Sequence, residues 1–219
     1  MRVKAVIFDL DGTITEPFFD FDAIRREMGL PPDAGPILEL MEKMTPQQRA
    51  DAERILLSHE EKAVAESTLN PGARETLDAL RQRGIRIGIL TRNKRDNVFA
   101  VADKHGLKFD AVVGREEGPV KPDAFGVEYL CRQFGVKPQE TLVVGDYLFD
   151  LLCAKAAGAV SVLLLVSAKA QIKPKRQTRR RAVAGKNQIK ADEFTKHADF
   201  VVGNIIEILQ IIDGREFVC

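Results

Sequence analysis

The sequence predicts an α/β fold, a parallel sheet core with a small inserted all-helical cap. Two observations predict it. Apolar runs of strand length alternate with amphipathic stretches of helix length over most of the chain. That alternation implies right-handed crossovers and a parallel sheet covered on both faces. A stretch from about residue 16 to residue 70 reads as helix only and breaks the alternation, so it is an insertion.

The elements come in order. Val3 to Phe8 is a buried-strand run that stops at Asp9 and Asp11, inside "KAVIFDLDGTITE". Asp20 to Gly29, Pro36 to Met44 and Pro46 to Ser67 read as helices, the last with Pro46 near its first turn and Ile55, Leu56 and Val64 spaced among charges. Asn70-Pro71-Gly72 punctuates the return from the insertion. "ARETLDALRQRG" is an amphipathic helix stopped by Gly84, and Ile85 to Leu90 is a strand. Then come helix Lys94 to His105, strand Ala111 to Val113, helix Asp123 to Phe134, strand Thr141 to Val144, helix Asp150 to Ala157 and strand Val160 to Val166. Phe200 to Val202 adds a short strand and Asn204 to Ile212 a helix. The expected division is a core of residues 1–15 and 71–219, with a basic loop at 169–190, and a cap of residues 16–70.

Composition sets the setting. The chain has 219 residues, 45 % hydrophobic and 30 % charged, which suits a globular domain with one elaboration. Its longest apolar stretch, Val160 to Val166, is far short of the roughly 20 residues a membrane span needs. The N-terminus runs into a strand without a signal-peptide pattern, so the expectation is a cytoplasmic protein with no membrane association. Cys131, Cys153 and Cys219 are odd in number and form no CxxC pair, and they read as reduced thiols. The net charge of +1 conceals a local excess. Lys169 to Lys190 carries nine Lys or Arg and no Asp or Glu, leaving 24 basic against 32 acidic residues elsewhere.

Ligands of such a sheet bind outside the carboxyl ends of its strands. Four chemically capable groups lie there: Asp9 and Asp11 after the first strand, Thr91 after the second, Lys121 in the loop beyond Val113, and Asp146 and Asp150 in "GDYLFD". Residues two apart in an extended chain point the same way, so Asp9 and Asp11 face one cavity, and Gly12 lets the backbone approach a ligand. Crowded carboxylates repel unless a cation neutralises them or one takes a proton. One lysine is present; a hard divalent ion, Mg²⁺ above all, would supply the rest. Taken singly, Thr91 also reads as a turn residue, Lys121 as a solvated loop lysine and Asp150 as a helix N-cap. His59, His105 and His197 lack ligand spacing. Phe18, Phe19, Phe21, Arg25 and Arg26 sit where an inserted cap begins and are further candidates for substrate contact.

These residues resemble the four motifs of the haloacid dehalogenase (HAD) superfamily, in the expected order: "DLDGT", Thr91 in "ILTRN", Lys121 in "VKPD", and "VVGDYLFD". The likeness to its Rossmann-like core covers roughly residues 1–15, 71–166 and 198–213. "NPGARETLDALRQRGIRIGILTRN" resembles the phosphoglycolate phosphatase-like members, which carry a helical cap between the first two motifs. The resemblance implies a Mg²⁺-dependent phosphatase that acts on a small phosphorylated metabolite through an aspartyl-phosphate. Asp9 would be the nucleophile and Asp11 the acid and base. Gly12, Thr91, Arg92, Asn93 and Lys121 would bind substrate, and Asp9, Asp11 (through its main-chain carbonyl), Asp146 and Asp150 would hold or orient the metal. The family's dehalogenases lack the second aspartate, since halide leaves without a proton. Two alternatives stand beside this reading: a phosphomutase of the same fold, and an adaptor that binds nucleic acid or an acidic partner through Lys169–Lys190. The insertion is short for this subfamily, and the basic segment is longer than the usual connection there.

Overall fold

Runs such as AVIF and TLVVG carry β-branched and apolar residues on both alternating sets, and they extend into strands with no solvent-facing side. In a computed structural model of the protein, which describes residues 2–166 and 193–214, six strands form one sheet. They are β1 (Ala5–Phe8), β2 (Arg86–Leu90), β3 (Ala111–Val113), β4 (Thr141–Gly145), β5 (Val160–Leu164) and β6 (Phe200–Val202). The order is β3-β2-β1-β4-β5-β6, and every neighbouring pair is parallel. Chain order runs outward from β1 to β3 and resumes at β4 on the other side of β1. The switch point is therefore between β1 and β4, the place where an open parallel sheet leaves a crevice. Ile7 sits in register between Gly88 and Val143.

The chain divides into two compact units. Pro17–Thr68 forms one, and the described residues up to Glu16 and from Leu69 onward form the other. In the sheet unit, α4 (Ala73–Gln82), α5 (Arg95–His105), α6 (Phe125–Phe134) and α7 (Leu148–Ala157) lie between successive strands, and α8 (Ile208–Ile212) follows β6. Ile7, Leu90 and Val143 pack with Val127, Leu130 and Cys131 of α6 and Cys153 and Ala154 of α7. Their strand neighbours Val6, Phe8, Ile89, Leu142 and Val144 are fully buried too, so the sheet is covered on both faces. Gly126 is required by this packing, because a Cβ there would overlap Leu90. In the other unit, α1 (Phe21–Glu27), α2 (Ile37–Met41) and α3 (Pro46–Glu66) enclose Ile24, Ile37, Met41, Ala52 and Leu56. Thr45 and Gln48 close a capping box at the start of α3, with Pro46 at its first position.

Several boundaries differ from the sequence expectation, each for a local reason. β1 begins at Ala5, since Val3 and Lys4 lie before the ladder to β2 and β4. α7 begins at Leu148 rather than Asp150. Tyr147 is its N-cap residue, and Asp150 stands at the third helical position, where its carboxylate accepts the Tyr147 N–H at 3.1 Å. β5 ends at Leu164, its last residue paired with β6. The Asn204–Ile212 stretch opens as a 3-10 turn, Ile205–Glu207, and only then becomes α8. Phe19 packs into the core of the helical unit and stacks on Phe21. Cys131 and Cys153 are free and buried. The basic segment Lys169–Lys190 and Cys219 lie outside the described residues. Among the described residues no helix is long and apolar enough to cross a membrane.

Candidate active site

The carboxyl ends of β1 and β4 meet at the switch point, and the parallel ladder fixes the residues just beyond them. Phe8 pairs with Val144, and the Asp9 N–H donates to the Val144 carbonyl at 2.9 Å, which sets Asp9 beside Gly145 and Asp146. Lys121, which lies beyond β3, is 4 % exposed, and its Nζ donates to Asp9 Oδ1 and to Asp150 Oδ1 at 2.6 Å each. The solvated-loop reading of Lys121 is thus overturned: the ammonium is buried between two carboxylates.

Oxygen atoms of Asp9, Asp146 and Asp150 lie within 4.8 Å of one another. One ammonium faces three carboxylates, and the electrostatics register the deficit. Burial raises the Asp146 carboxyl well above its ordinary range, and the charges of Asp9 and Asp150 raise it further. Asp150 is pushed up to about 6 by burial, an effect that Lys121 opposes and Asp9 reinforces. For Lys121, burial alone would lower the pKa, yet Asp150 and Asp9 outweigh it and hold the ammonium protonated. Beneath them Cys153 donates its S–H to the Asp150 carbonyl at 3.2 Å, and burial followed by the Asp150 charge pushes its thiol up to about 12. That thiol is a packing group rather than a nucleophile.

Close backbone approach makes room for this cluster. Gly12 has φ of +92°, and a Cβ there would overlap the Asp146 carboxylate; one at Gly145 would overlap Asp150. The cluster is all oxygen and short of positive charge, with a side-chain-free backbone beside Asp146. Those donors fit a hard divalent cation.

Asp11 belongs to a second group of contacts. Asn93 Nδ2 donates to Asp11 Oδ2 at 3.1 Å, while Asn93 Oδ1 accepts from the Lys94 N–H at 2.8 Å and from Asn97 Nδ2 at 2.7 Å. Thr91, 3 % exposed at the end of β2, accepts the Asn93 N–H on its hydroxyl at 3.0 Å. The Thr91–Asn93 turn thus delivers the amide that aims Asp11. Arg92 donates to the Lys121 carbonyl, and its guanidinium lies 4.8 Å from the centroid of the Phe149 ring. Thr13 Oγ1 lies 3.5 Å from Asp146 Oδ1.

Sequence reading missed one residue of this neighbourhood. Asn70, read only as turn punctuation, is 3 % exposed and points its Nδ2 at the carbonyl oxygens of Gly12, Thr13 and Thr15, at 2.9, 2.9 and 3.0 Å. An Asn before Pro-Gly carries no signal that would separate this role from an ordinary turn.

The chain is similar to known proteins in sequence and in fold. A family model described as a haloacid dehalogenase-like hydrolase matches residues 3–158. The chain is 30 % identical over 174 residues to a haloacid dehalogenase-like hydrolase domain-containing protein of Arabidopsis thaliana, a match covering 74 % of this chain and 71 % of that relative. It is 29 % identical over 187 residues to a phosphoglycolate phosphatase of Chromobacterium violaceum, covering 74 % of this chain and 84 % of the relative. The crystal structure of a hydrolase from Pseudomonas syringae superposes with a TM-score of 0.74 over 96 % of this chain and 98 % of that one. At 20 % identity that last likeness is one of fold.

Proposed function

The chain belongs to the haloacid dehalogenase-like hydrolase family, and we propose that it acts there as a Mg²⁺-dependent phosphatase of a small phosphomonoester. The observation that carries this reading is the pairing of two differently held carboxylates. Asp9 is tied to the Lys121 ammonium and Asp11 to the neutral Asn93 amide. The ammonium fixes the Asp9 carboxylate in place as the attacking group, and the Asn93 amide aims the Asp11 carboxyl as the acid and base.

In this reading Asp9 attacks phosphorus and the P–O bond to the leaving group breaks. Asp11 gives its proton to the departing oxygen, which leaves as an alcohol, and an aspartyl-phosphate remains on Asp9. Asp11, now a carboxylate, takes a proton from water, the water attacks phosphorus, and inorganic phosphate departs as Asp9 is restored. Lys121 orients Asp9 and offsets charge on the phosphoryl oxygens, which the Thr91 hydroxyl and nearby main-chain N–H groups also contact. Asp9 and Asp146 would hold Mg²⁺ together with the Asp11 main-chain carbonyl, and Asp150 would orient them. The ion, when bound, supplies positive charge that offsets the repulsion between these carboxylates and an incoming phosphate. We also assign the inserted unit, Pro17–Thr68, the part of a cap.

A phosphate-release screen over sugar phosphates, nucleotides, phosphoglycolate and pyrophosphate tests the function. Release that requires Mg²⁺ and disappears in Asp9→Asn is expected. No release from any phosphomonoester, or equal release by the variant, would overturn the reading.

A further inference from the structure

We infer that Asn70 is a positioning residue: its side-chain amide fixes the loop that presents Asp11, and so governs how well Asp11 delivers its proton. This rests on the assignment of Asp11 as the acid and base.

The loop from Asp9 to Thr15 folds over on itself. The Gly12 N–H donates to the Thr15 carbonyl at 3.0 Å, and the Ile14 and Thr15 N–H groups both donate to the Leu10 carbonyl at 2.9 Å. This curl turns the carbonyls of Gly12, Thr13 and Thr15 toward one point, and Asn70 Nδ2 occupies it. A primary amide has two protons, so the three carbonyls share them, and no other uncharged side chain brings two donors on so short a stem. Asn70 is itself anchored at both backbone groups. Its N–H donates to the Ile14 carbonyl at 2.9 Å, and its carbonyl accepts the Ala73 N–H at the start of α4 at 3.0 Å. The loop is thereby tied to the first turn of α4, although Asn70 lies 58 residues beyond Gly12 in the chain.

Asp11 is held from two directions as a result. Asn93 sets its carboxylate, while Asn70 sets the Gly12 and Thr13 peptides just after it. The Gly12 peptide also governs the approach to Asp146, since a Cβ at that position would overlap the Asp146 carboxylate. A small rotation of these peptides would swing Asp11 away from the leaving oxygen, and general acid catalysis tolerates little misplacement.

The other end of the same side chain shows that space-filling is not its purpose. Asn70 Oδ1 is buried without a hydrogen-bond partner. An unpaired buried acceptor is destabilising, and an apolar side chain of similar size would fill the site without that cost. What the amide adds is its pair of donors.

The test compares Asn70→Ala and Asn70→Ser with Leu77→Ala, which empties a buried position in α4 and reports the effect of general loosening. The first readout is the ratio of kcat/KM for an alkyl phosphate to that for 4-nitrophenyl phosphate, whose leaving group needs no proton. The ratio should fall at least about tenfold in Asn70→Ala, less in Asn70→Ser, and stay within about twofold of the parent in Leu77→Ala. The second readout needs no turnover: hydrogen exchange of the amides from Leu10 to Glu16 should quicken at least about tenfold in Asn70→Ala, with those of β4 unchanged. An equal fall of the ratio in Asn70→Ala and Leu77→Ala would reduce Asn70 to a packing residue and overturn the inference. So would quickened exchange with an unchanged ratio, or exchange that does not change. If the parent releases no phosphate from either ester, the phosphatase reading fails, and the exchange result alone decides whether Asn70 holds the loop.

Discussion

Lys121 meets two carboxylates at 2.6 Å while almost wholly removed from water, so its charge and theirs depend on each other. Replacing it by Met removes one partner and leaves Asp9 and Asp150 buried beside Asp146 with no ammonium among them. Such a break typically costs about 3–5 kcal/mol. Lys121→Met should therefore lower the stability measured by denaturant unfolding by that amount and abolish turnover; a loss under about 1 kcal/mol would mean the carboxylates find other compensation. The two aspartates of the first motif should separate by leaving group. Asp9→Asn should lose at least about a thousandfold in kcat on every ester. Asp11→Asn should lose far more on alkyl phosphates than on 4-nitrophenyl phosphate, and equal losses on both would assign Asp11 another role.

The helical insertion is an element whose local signals and packing can be weighed against each other. Thr45 accepts the Gln48 N–H at 3.4 Å, and the Thr45 N–H donates to Gln48 Oε1 at 3.1 Å, a capping box on a helix of 21 residues. Thr45→Ala should cost about 1 kcal/mol. Leu56, 5 % exposed in the same helix, packs with Ile24, Ile37 and Met41, and Leu56→Ala should cost about 2–5 kcal/mol through lost burial and the cavity left behind. Chemical denaturation of both variants checks the ranking. A larger loss for Thr45→Ala would mean that α3 stands on its caps rather than on its apolar face. Pro46 and the spacing of Ile55, Leu56 and Val64 made this helix legible in sequence, while the Thr45 cap emerged only in the structure. The start of α7 was not, because Asp150 has the residue type of a cap, yet it stands at the third position with its other oxygen committed to Lys121.

For the whole molecule the imbalance of charge at the switch point predicts a metal-linked stability. A cation that binds the folded cluster and not the unfolded chain stabilises by about 2.7 kcal/mol at a hundred times its dissociation constant. For a chain of this size that is a rise in Tm of roughly 5–10 °C. Thermal unfolding with saturating Mg²⁺ against excess chelator should show it, and the difference should shrink in Asp146→Asn. Chelation should also abolish turnover, with Ca²⁺ a poor substitute because of its larger and looser shell. Equal Tm and activity in chelator would remove the metal from the site.

The sequence by itself determined the alternation of strands and helices and the place of the insertion, and it marked Asp9, Asp11, Thr91, Lys121, Asp146 and Asp150 as candidates at the strand ends. It could do so because buried strands demand continuous apolar runs, and because carboxylates and a lysine at strand ends stand out against them. Only the tertiary structure decided which of these groups touch. Strand order put β1 beside β4 although well over a hundred residues separate them, and that pairing made three aspartates neighbours of one lysine. The same long-range closure turned Asn93 onto Asp11 and Asn70 onto the carbonyls of Gly12, Thr13 and Thr15. An amide side chain has no charge and no periodicity to announce it, so its partner is known only when the chain has folded back to supply one.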